Sequence, residues 1–174
     1  MMPADNSIVF RTERLAVRPY TMDDLDYVCS LNGNPEIMQY IRPAQTPEQS
    51  REFLQKVISA YSEQPGIGRW GMFSIPSGEF VGSFAIIPVE NTGELQLGYA
   101  LLKEHWGKGY ASESVRGGIN YAFDDLDLTE IAGITFPANI SSQKVLLKNG
   151  FIFNKTFMEG DKELFYYLLR KENI

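Results

Sequence analysis

The residues with the plainest chemical use stand where a strand-like run turns into a helical one. Glu94-Leu-Gln-Leu-Gly-Tyr-Ala-Leu-Leu102 breaks at Lys103-Glu104-His105, continues as Trp106-Gly-Lys-Gly-Tyr-Ala111, and a helical pattern follows almost at once. Two glycines one residue apart let the backbone approach a ligand closely, and the free N–H groups of a new helix point at any negative group lodged there. The junction therefore reads as an anion cradle for a phosphate-bearing cofactor. Two common tenants do not fit it. A dinucleotide fingerprint needs Gly or Ala where this chain has Ser112, and a ribose-binding acid where the next strand ends in Thr135-Phe136. A Walker-type loop needs four residues between its first glycine and the Gly-Lys pair, and Ser or Thr after the lysine; Lys108 is followed by Gly109.

Hydrophobic periodicity supplies the elements that must position this junction. Ile8 to Pro19 reads as a first strand, after a short start, Met1 to Asn6, expected to be disordered. Thr21-Met-Asp-Asp24 resembles a capping box with Asp in the usual Glu position, opening a helix with Leu25, Val28 and Cys29 on its apolar stripe. Asn32-Gly-Asn-Pro35 interrupts it. Thr46-Pro-Glu-Gln49 is a second box, opening a helix with Phe53, Leu54, Val57, Ile58 and Tyr61 on one face and an end by Pro65-Gly66. The period then becomes two: strands are predicted over 69–75 and 79–87 as a hairpin, then over 94–102. The helix after the cradle carries Ala111, Val115, Gly118, Ile119 and Ala122 on one side. A strand at 131–135 and a helix at 141–149 follow, the helix stopped by Gly150 with Phe151 tucked back onto its last turn. Strands over 151–158 and 163–170 close the chain. The pattern implies a mixed α/β fold, a single domain over residues 1–174, with a mostly antiparallel central sheet of about seven strands and about four flanking helices.

Composition narrows the function class. The 174 residues are 44% hydrophobic and 22% charged, and no apolar run is long enough to span a bilayer. Met1-Met-Pro-Ala-Asp-Asn6 lacks the basic-then-apolar plan of a secretory signal, which predicts a cytoplasmic protein without a membrane partner. One cysteine and one histidine are too few for a zinc cluster, so no metal is expected. A net charge of −6 argues against a nucleic-acid partner and favours the approach of cationic ones. The acidic runs around Asp23 and Asp124 read as solvated loop or cap charges, with steering of a cationic substrate as the functional alternative.

Three motifs in order resemble the GNAT acetyltransferases, and within them the RimJ/RimL-type branch of N-terminal acetyltransferases. They are Phe10-Arg-Thr-Glu-Arg-Leu-Ala-Val-Arg18; Leu97-Gly-Tyr-Ala-Leu followed by Trp106-Gly-Lys-Gly-Tyr-Ala111; and Asn139-Ile-Ser-Ser142 followed by Lys144-Val-Leu and Asn149-Gly-Phe151. The resemblance implies that acetyl-CoA is the acetyl donor and lies where two neighbouring parallel strands splay apart, here the fourth and fifth predicted strands, 94–102 and 131–135. Its pantetheine arm would pair with backbone around Tyr99, Ala100 and Leu101. Its pyrophosphate would rest on the N–H groups of Trp106, Gly107, Lys108, Gly109, Tyr110 and Ala111. Asn139 would hydrogen-bond the arm, and Ser142 would face the sulfur. Asn and Ser ahead of a helix are also ordinary caps. The chain departs from the family pattern twice: Glu104 stands where Gln or Arg is common, and Gln96 where an acid is common.

Amide formation needs a neutral amine aimed at the thioester carbonyl and a proton for the departing thiolate. A lysine amine, with a pKa of about 10.4, is neutral to roughly one part in a few thousand at pH 7, whereas an α-amine near about 8 is neutral to roughly a tenth. A site without a strong base thus favours α-amines. Glu94, two residues before Gln96 on one strand face, is the remaining acid that could take a proton through water, in competition with a plain role as a strand-start residue. Ser142 is the candidate proton donor. His105 reads as a solvated turn residue and Cys29 as core, which leaves no acyl-enzyme nucleophile and favours direct transfer. Trp70, Tyr40 and Tyr99 are candidates for an acceptor pocket, with core packing expected for two of the three. The acceptor is expected to be a protein or peptide N-terminus; a small-molecule amine, or a non-catalytic acyl-CoA-binding module, is the alternative. Specificity is assigned to residues 32–46, the helices on either side, and the final hairpin. The terminal strands offer an edge compatible with a monomer or a homodimer.

Overall fold

In the computed structural model, which describes residues 7–174, the run expected to be one first strand is two. Strands β1 (Phe10–Arg11) and β2 (Leu15–Pro19) form a hairpin, with Phe10 opposite Val17. The turn between them exists because Thr12 uses both ends: its N–H donates to the Leu15 carbonyl at 2.8 Å and its hydroxyl accepts the Leu15 N–H at 3.0 Å. The segment Met1 to Asn6, expected to be disordered, lies outside the described residues. The chain continues through helices α1 (Leu25–Asn32), α2 (Pro35–Met38) and α3 (Pro47–Glu63), strands β3 (Gly68–Ser74), β4 (Phe80–Pro88) and β5 (Leu95–Leu101), and helix α4 (Tyr110–Asn120). Strand β6 (Glu130–Thr135), helix α5 (Ile140–Lys148) and strands β7 (Ile152–Glu159) and β8 (Lys162–Arg170) complete it. The sheet therefore has eight strands, not seven, and the described residues hold five α-helices rather than four.

The extra helix is α2, which sequence periodicity missed because it is a single turn. Asn34 caps it, its side-chain oxygen accepting from the Glu36 and Ile37 N–H groups, and Pro35 occupies the first turn, where no N–H is needed. The box at Thr46 is present in both directions: Gln49 N–H to Thr46 Oγ1 at 3.2 Å, and Thr46 N–H to Gln49 Oε1 at 2.9 Å. Asp24 accepts the Thr21 N–H and is buried in a two-pronged ion pair with Arg18 at 2.8 and 2.9 Å. It is an internal brace, not a solvated charge. Cys29, expected in the core, is only half-buried.

Sheet order is β1-β2-β3-β4-β5-β6-β8-β7, antiparallel throughout except for β5 and β6, which run parallel. One face packs under α4 and α5 through Phe84, Leu97, Val115, Ile119, Ile131 and Leu146. Over the other, α1 to α3 bury Tyr20, Val28, Leu31, Leu54, Phe73 and Phe80. The register that matters most is the shortest. β5 and β6 pair only at Gln96 with Ala132 and Leu97 with Gly133, after which β5 continues to Leu101 against β4 and β6 to Thr135 against β8. Two neighbouring strands thus diverge after two pairs, and the expected splay lies between them. No helix among the described residues is long and apolar enough to cross a membrane.

Glycines fix how closely the helices approach the split. A Cβ at Gly133 would lie 2.5 Å from a Leu146 methyl, so α5 sits directly on β6 at the divergence. A Cβ at Gly118 would lie 2.2 Å from the fully buried Phe84 ring, which lets α4 press onto β4. Gly118→Ala is accordingly expected to destabilise the fold by about 1–3 kcal/mol through overpacking, a fall in thermal midpoint of roughly 2–10 °C. An unchanged midpoint on calorimetric melting would show that Phe84 is not the wall that seats α4.

Candidate active site

A cavity of about 1400 Å³ opens where β5 and β6 part and extends across the sheet beneath α1 and α2. Alternation along β5 decides which backbone groups it receives. The Leu102 N–H donates to Val81 and the Ala100 carbonyl faces Gly82, so even-numbered residues spend their polar groups on β4. Tyr99 and Leu101 face the gap. Ala100, expected among the arm-pairing residues, offers the cavity its side chain and not its amide. The Leu101 carbonyl is already taken by the Trp106 indole Nε1–H at 2.9 Å. What remains for a ligand is the Tyr99 N–H and carbonyl and the Leu101 N–H, a short strip of unpaired strand edge.

The strip leads to the start of α4. Gly107 and Gly109 sit at φ 71° and 82°, a region that side-chain-bearing residues avoid, and together they turn successive N–H groups outward. Among the described residues, nothing accepts from the N–H groups of Gly107, Lys108, Gly109, Tyr110 or Ala111. The expected row of donors is corrected at one end: the Trp106 N–H closes a turn onto the Lys103 carbonyl at 3.1 Å. Five orphan donors at the positive end of a helix fit a pyrophosphate, because they supply hydrogen bonds and dipole together. The residues present therefore suit coenzyme A.

The cradle is held from behind by the first motif of the sequence. Arg14 donates from Nη1 to the Lys108 carbonyl at 3.0 Å and from Nε to Glu113 Oε2 at 2.7 Å, and lies 4.4 Å above the Tyr110 ring. Glu113 Oε1 also accepts the Arg14 N–H at 2.8 Å and the Thr12 hydroxyl at 2.6 Å. Burial raises the Glu113 carboxyl, but the hydrogen bonds from Thr12 and Arg14 and the Arg14 charge outweigh it and hold it below its ordinary value. A carboxylate in the first turn of the helix would repel a phosphate; Arg14 cancels its charge. Lys144, which stands in the third motif, and Lys148, one turn on along α5, line the same cavity and add positive charge.

Where the strip meets α5, Asn139 and Ser142 both line the cavity. The Asn139 side-chain oxygen caps α5 by accepting the Ser142 N–H at 3.2 Å, and among the described residues its amide N–H₂ makes no hydrogen bond. The Ser142 hydroxyl and the Tyr99 phenol both line the split; burial pushes that phenol up, and the neighbouring Ser142 offsets only part of the rise. Glu94 is not beside them. It does not line the cavity, and its carboxylate accepts the Tyr166 hydroxyl at 2.6 Å. Gln96 does line it, so a proton passing to Glu94 would have to travel through water. Glu94 is a structural partner of β8 first.

Several expectations change on the acceptor side. Trp70 is core, while Tyr40 lines the cavity with its ring 6.1 Å from that of Phe136, and Tyr99 does so with its body packed on the core. His105 is not solvated but buried, edge-on to Tyr110 at 5.8 Å, with an Nδ1 that has no partner. Arg42 and Arg69, which carry no motif, enter the cavity from the α2–α3 loop and β3. The segment 32–46 and the β7–β8 turn do reach it, through residues such as Asn32, Ile37, Met158 and Gly160. Among the described residues no group of three or more His, Cys, Asp or Glu side chains is placed to hold a metal ion.

Residues 14–152 match the protein family described as the acetyltransferase (GNAT) domain. An uncharacterized N-acetyltransferase, p20, of Bacillus licheniformis is 35% identical over 156 residues, 87% of this chain and 85% of its own. Among solved structures, an acetyltransferase of the GNAT family from Bacillus anthracis superposes with a TM-score of 0.82 at 24% identity, covering 94% of this chain and 98% of its own. RimL, a ribosomal L7/L12 alpha-N-protein acetyltransferase in complex with coenzyme A, gives 0.79 at 16% identity, covering 94% and 97%. At these identities the two structures speak for the fold.

The brace behind the cradle has a pH signature. Because the Glu113 carboxyl is depressed in the folded state, its contribution is complete above the ordinary carboxylate value of 4.5 and is lost as pH falls through the lower, folded value. Melting the wild type and Glu113→Gln between about pH 3 and 6 is expected to show a shallower acid-side decline in the variant. Parallel curves would mean that Arg14 and Glu113 do not titrate as a unit.

Proposed function

We propose that this chain, which belongs to the GNAT acetyltransferase family, transfers the acetyl group of acetyl-CoA directly to a primary amine, the α-amine at a protein or peptide N-terminus. The observation that carries this reading is the meeting of three features at the β5–β6 split. Unpaired strand edge at Tyr99 and Leu101 lies next to the cavity-lining hydroxyls of Tyr99 and Ser142, and leads to the orphan donors at Gly107–Ala111.

When bound, acetyl-CoA supplies an activated acetyl thioester. Gly107 to Ala111 hold its pyrophosphate, and Tyr99, Leu101 and the Asn139 amide align its arm. The amine nitrogen forms a bond to the carbonyl carbon as the carbon–sulfur bond breaks, and Ser142 donates its proton to the departing sulfur. Tyr99 stays protonated at neutral pH because burial raises its phenol, so no phenolate charge stands in the split. The proton shed by the new amide nitrogen passes through water past Gln96 to Ser142, which restores the Ser142 hydroxyl and closes the balance. With no carboxylate beside Ser142, the acceptor must arrive neutral, which α-amines do far more often than lysine side chains.

Acetyl-CoA turnover over a panel of N-terminal peptides, free lysine, polyamines and aminoglycosides tests the acceptor. Peptides acetylated at their α-amine are expected; polyamines or aminoglycosides as sole acceptors would replace the N-terminal reading. Tight acetyl-CoA binding with no acceptor acetylated would leave a binding module. Ser142→Ala is expected to lower kcat by roughly a hundredfold while leaving the Kd for acetyl-CoA in place. Unchanged kcat would remove Ser142 from the proton path.

A further inference from the structure

The acidic net charge of the chain suggests cationic substrates, yet the acceptor end of the cavity carries the opposite sign. Arg42 follows α2 on the loop to α3, and Arg69 lies in β3; both line the cavity. Their guanidinium carbons lie 4.6 and 5.9 Å from the centroid of one ring, Phe53 on α3. Among the described residues neither guanidinium has a carboxylate partner or donates a hydrogen bond. The acids lining the same cavity do not answer them: Glu36 is paired with Lys103, and Glu90 and Glu159 make no ion pair with either arginine. Burial lowers both guanidiniums from their usual value, and Arg69 adds repulsion that helps to bring Arg42 down to about 10. Two half-buried cations beside one ring, each with its donors unspent, are an arrangement that an incoming anion relieves.

Their position relative to the thioester is fixed by register. Arg69 lies opposite Ala85, and Ala85 opposite Gly98, so the three share one face of the sheet. At two strand spacings, the Arg69 backbone is about 10 Å from Gly98, next to the β5–β6 split. The floor between is low: Gly98, Ala85, Ser83 and Ala100 line it, and a Cβ on Gly98 would meet nothing within 4 Å. An amine resting over Gly98 with a carboxylate a few bonds away places that carboxylate under the two guanidiniums.

We propose that Arg42 and Arg69, gathered by Phe53, form a carboxylate-recognising subsite, so that the amine accepted by this enzyme carries a carboxylate a few bonds from its nitrogen. The inference rests on the reading of the split as the acetyl-transfer site and specifies its acceptor. The same chemistry has two sources, the α-carboxylate of a free amino acid and the side-chain carboxylate of an N-terminal aspartate or glutamate. The Arg42–Arg69 pair recognises the group in either.

Two measurements on the full chain decide it. Acetyl-CoA turnover is compared for free aspartate, glutamate and alanine with their amides, and for peptides beginning with aspartate or glutamate with those beginning with asparagine or alanine. Calorimetry then measures N-acetylaspartate and N-acetylasparagine amide binding to the enzyme loaded with coenzyme A, for wild type, Arg42→Gln, Arg69→Gln and Arg42→Lys. The wild type is expected to prefer carboxylate-bearing acceptors in kcat/KM, and each Gln variant to lose that preference by roughly ten- to a hundredfold. Arg42→Lys is expected to recover part of it, and coenzyme A affinity, read on the same samples, shows that the variants are folded. Preference for free amino acids alone identifies the α-carboxylate as the source; preference for acidic peptides identifies the side chain. Acetylation indifferent to the carboxylate, or N-acetylaspartate binding that the Gln variants leave unmoved, would overturn the subsite. If no amine is acetylated but N-acetylaspartate binds the coenzyme A complex in an arginine-dependent way, the transfer reading falls and the subsite stands.

Discussion

The structure depends on one interrupted hydrogen-bond ladder. Parallel strands β5 and β6 exchange bonds through two register pairs and then part, although both continue as strands against their outer neighbours. Unpaired strand edge in an interior is costly, since each amide and carbonyl withdrawn from water wants a partner. Here the outer ladders with β4 and β8 hold the two strands in place, and α5, seated on Gly133 through Leu146, occupies the side from which β6 could swing back. The gap is thereby braced on both sides. Its free groups, at Tyr99 and Leu101, serve as one half of a ladder whose other half an extended amide-bearing chain can supply, which is what a pantetheine arm is.

The second constraint is electrostatic. GNAT acetyltransferases use acetyl-CoA, a polyanionic donor, and this member has a net charge of −6, so the charge that suits such a donor is arranged locally. The cradle uses backbone N–H groups, whose partial charges cannot be titrated away, and the nearest carboxylate, Glu113, is neutralised by Arg14. Lys144 and Lys148 stand on α5 across the opening. The same separation of local from global charge appears at the acceptor end, where Arg42 and Arg69 both lie beside Phe53 with no carboxylate partner among the described residues. Net charge here describes solubility and long-range approach, while a few buried groups determine which ligand is retained.

This explains which parts of the site could be read in the sequence. The donor end is built from backbone, and backbone geometry leaves local marks: glycines where φ is positive, a strand that breaks into a helix, an Asn at a cap. Gly107, Gly109, Asn139 and the Gly150-Phe151 stop all carry their meaning within a few neighbouring residues, and the order of elements followed from periodicity. The errors fell where meaning is tertiary. The break at Thr12 is set jointly by its own turn and by Glu113, about a hundred residues away. Helix α2 is too short to have a period. Ala100 and Trp106 were assigned from position in a motif, but strand alternation and a turn bond to Lys103 decide where their amides go. Arg42, Arg69 and Phe53 come from a loop, a strand and a helix, and no spacing along the chain relates them.

The proton problem follows from the same division of labour. A carboxylate at position 96 would sit on the floor of the cavity and collect the amine proton directly; Gln96 does not, and Glu94 is engaged with Tyr166 on β8. An enzyme so built depends on substrates that deliver a neutral nitrogen, which favours amines whose pKa lies near neutrality. A carboxylate bound by Arg42 and Arg69 acts on that balance as well as on affinity. In free solution a nearby carboxylate raises the amine pKa by stabilising its charged form, whereas a carboxylate already paired with two guanidiniums no longer does. The cations that hold the acceptor would thus also favour its neutral, reactive state, so that recognition and deprotonation share one pair of residues in place of a dedicated base.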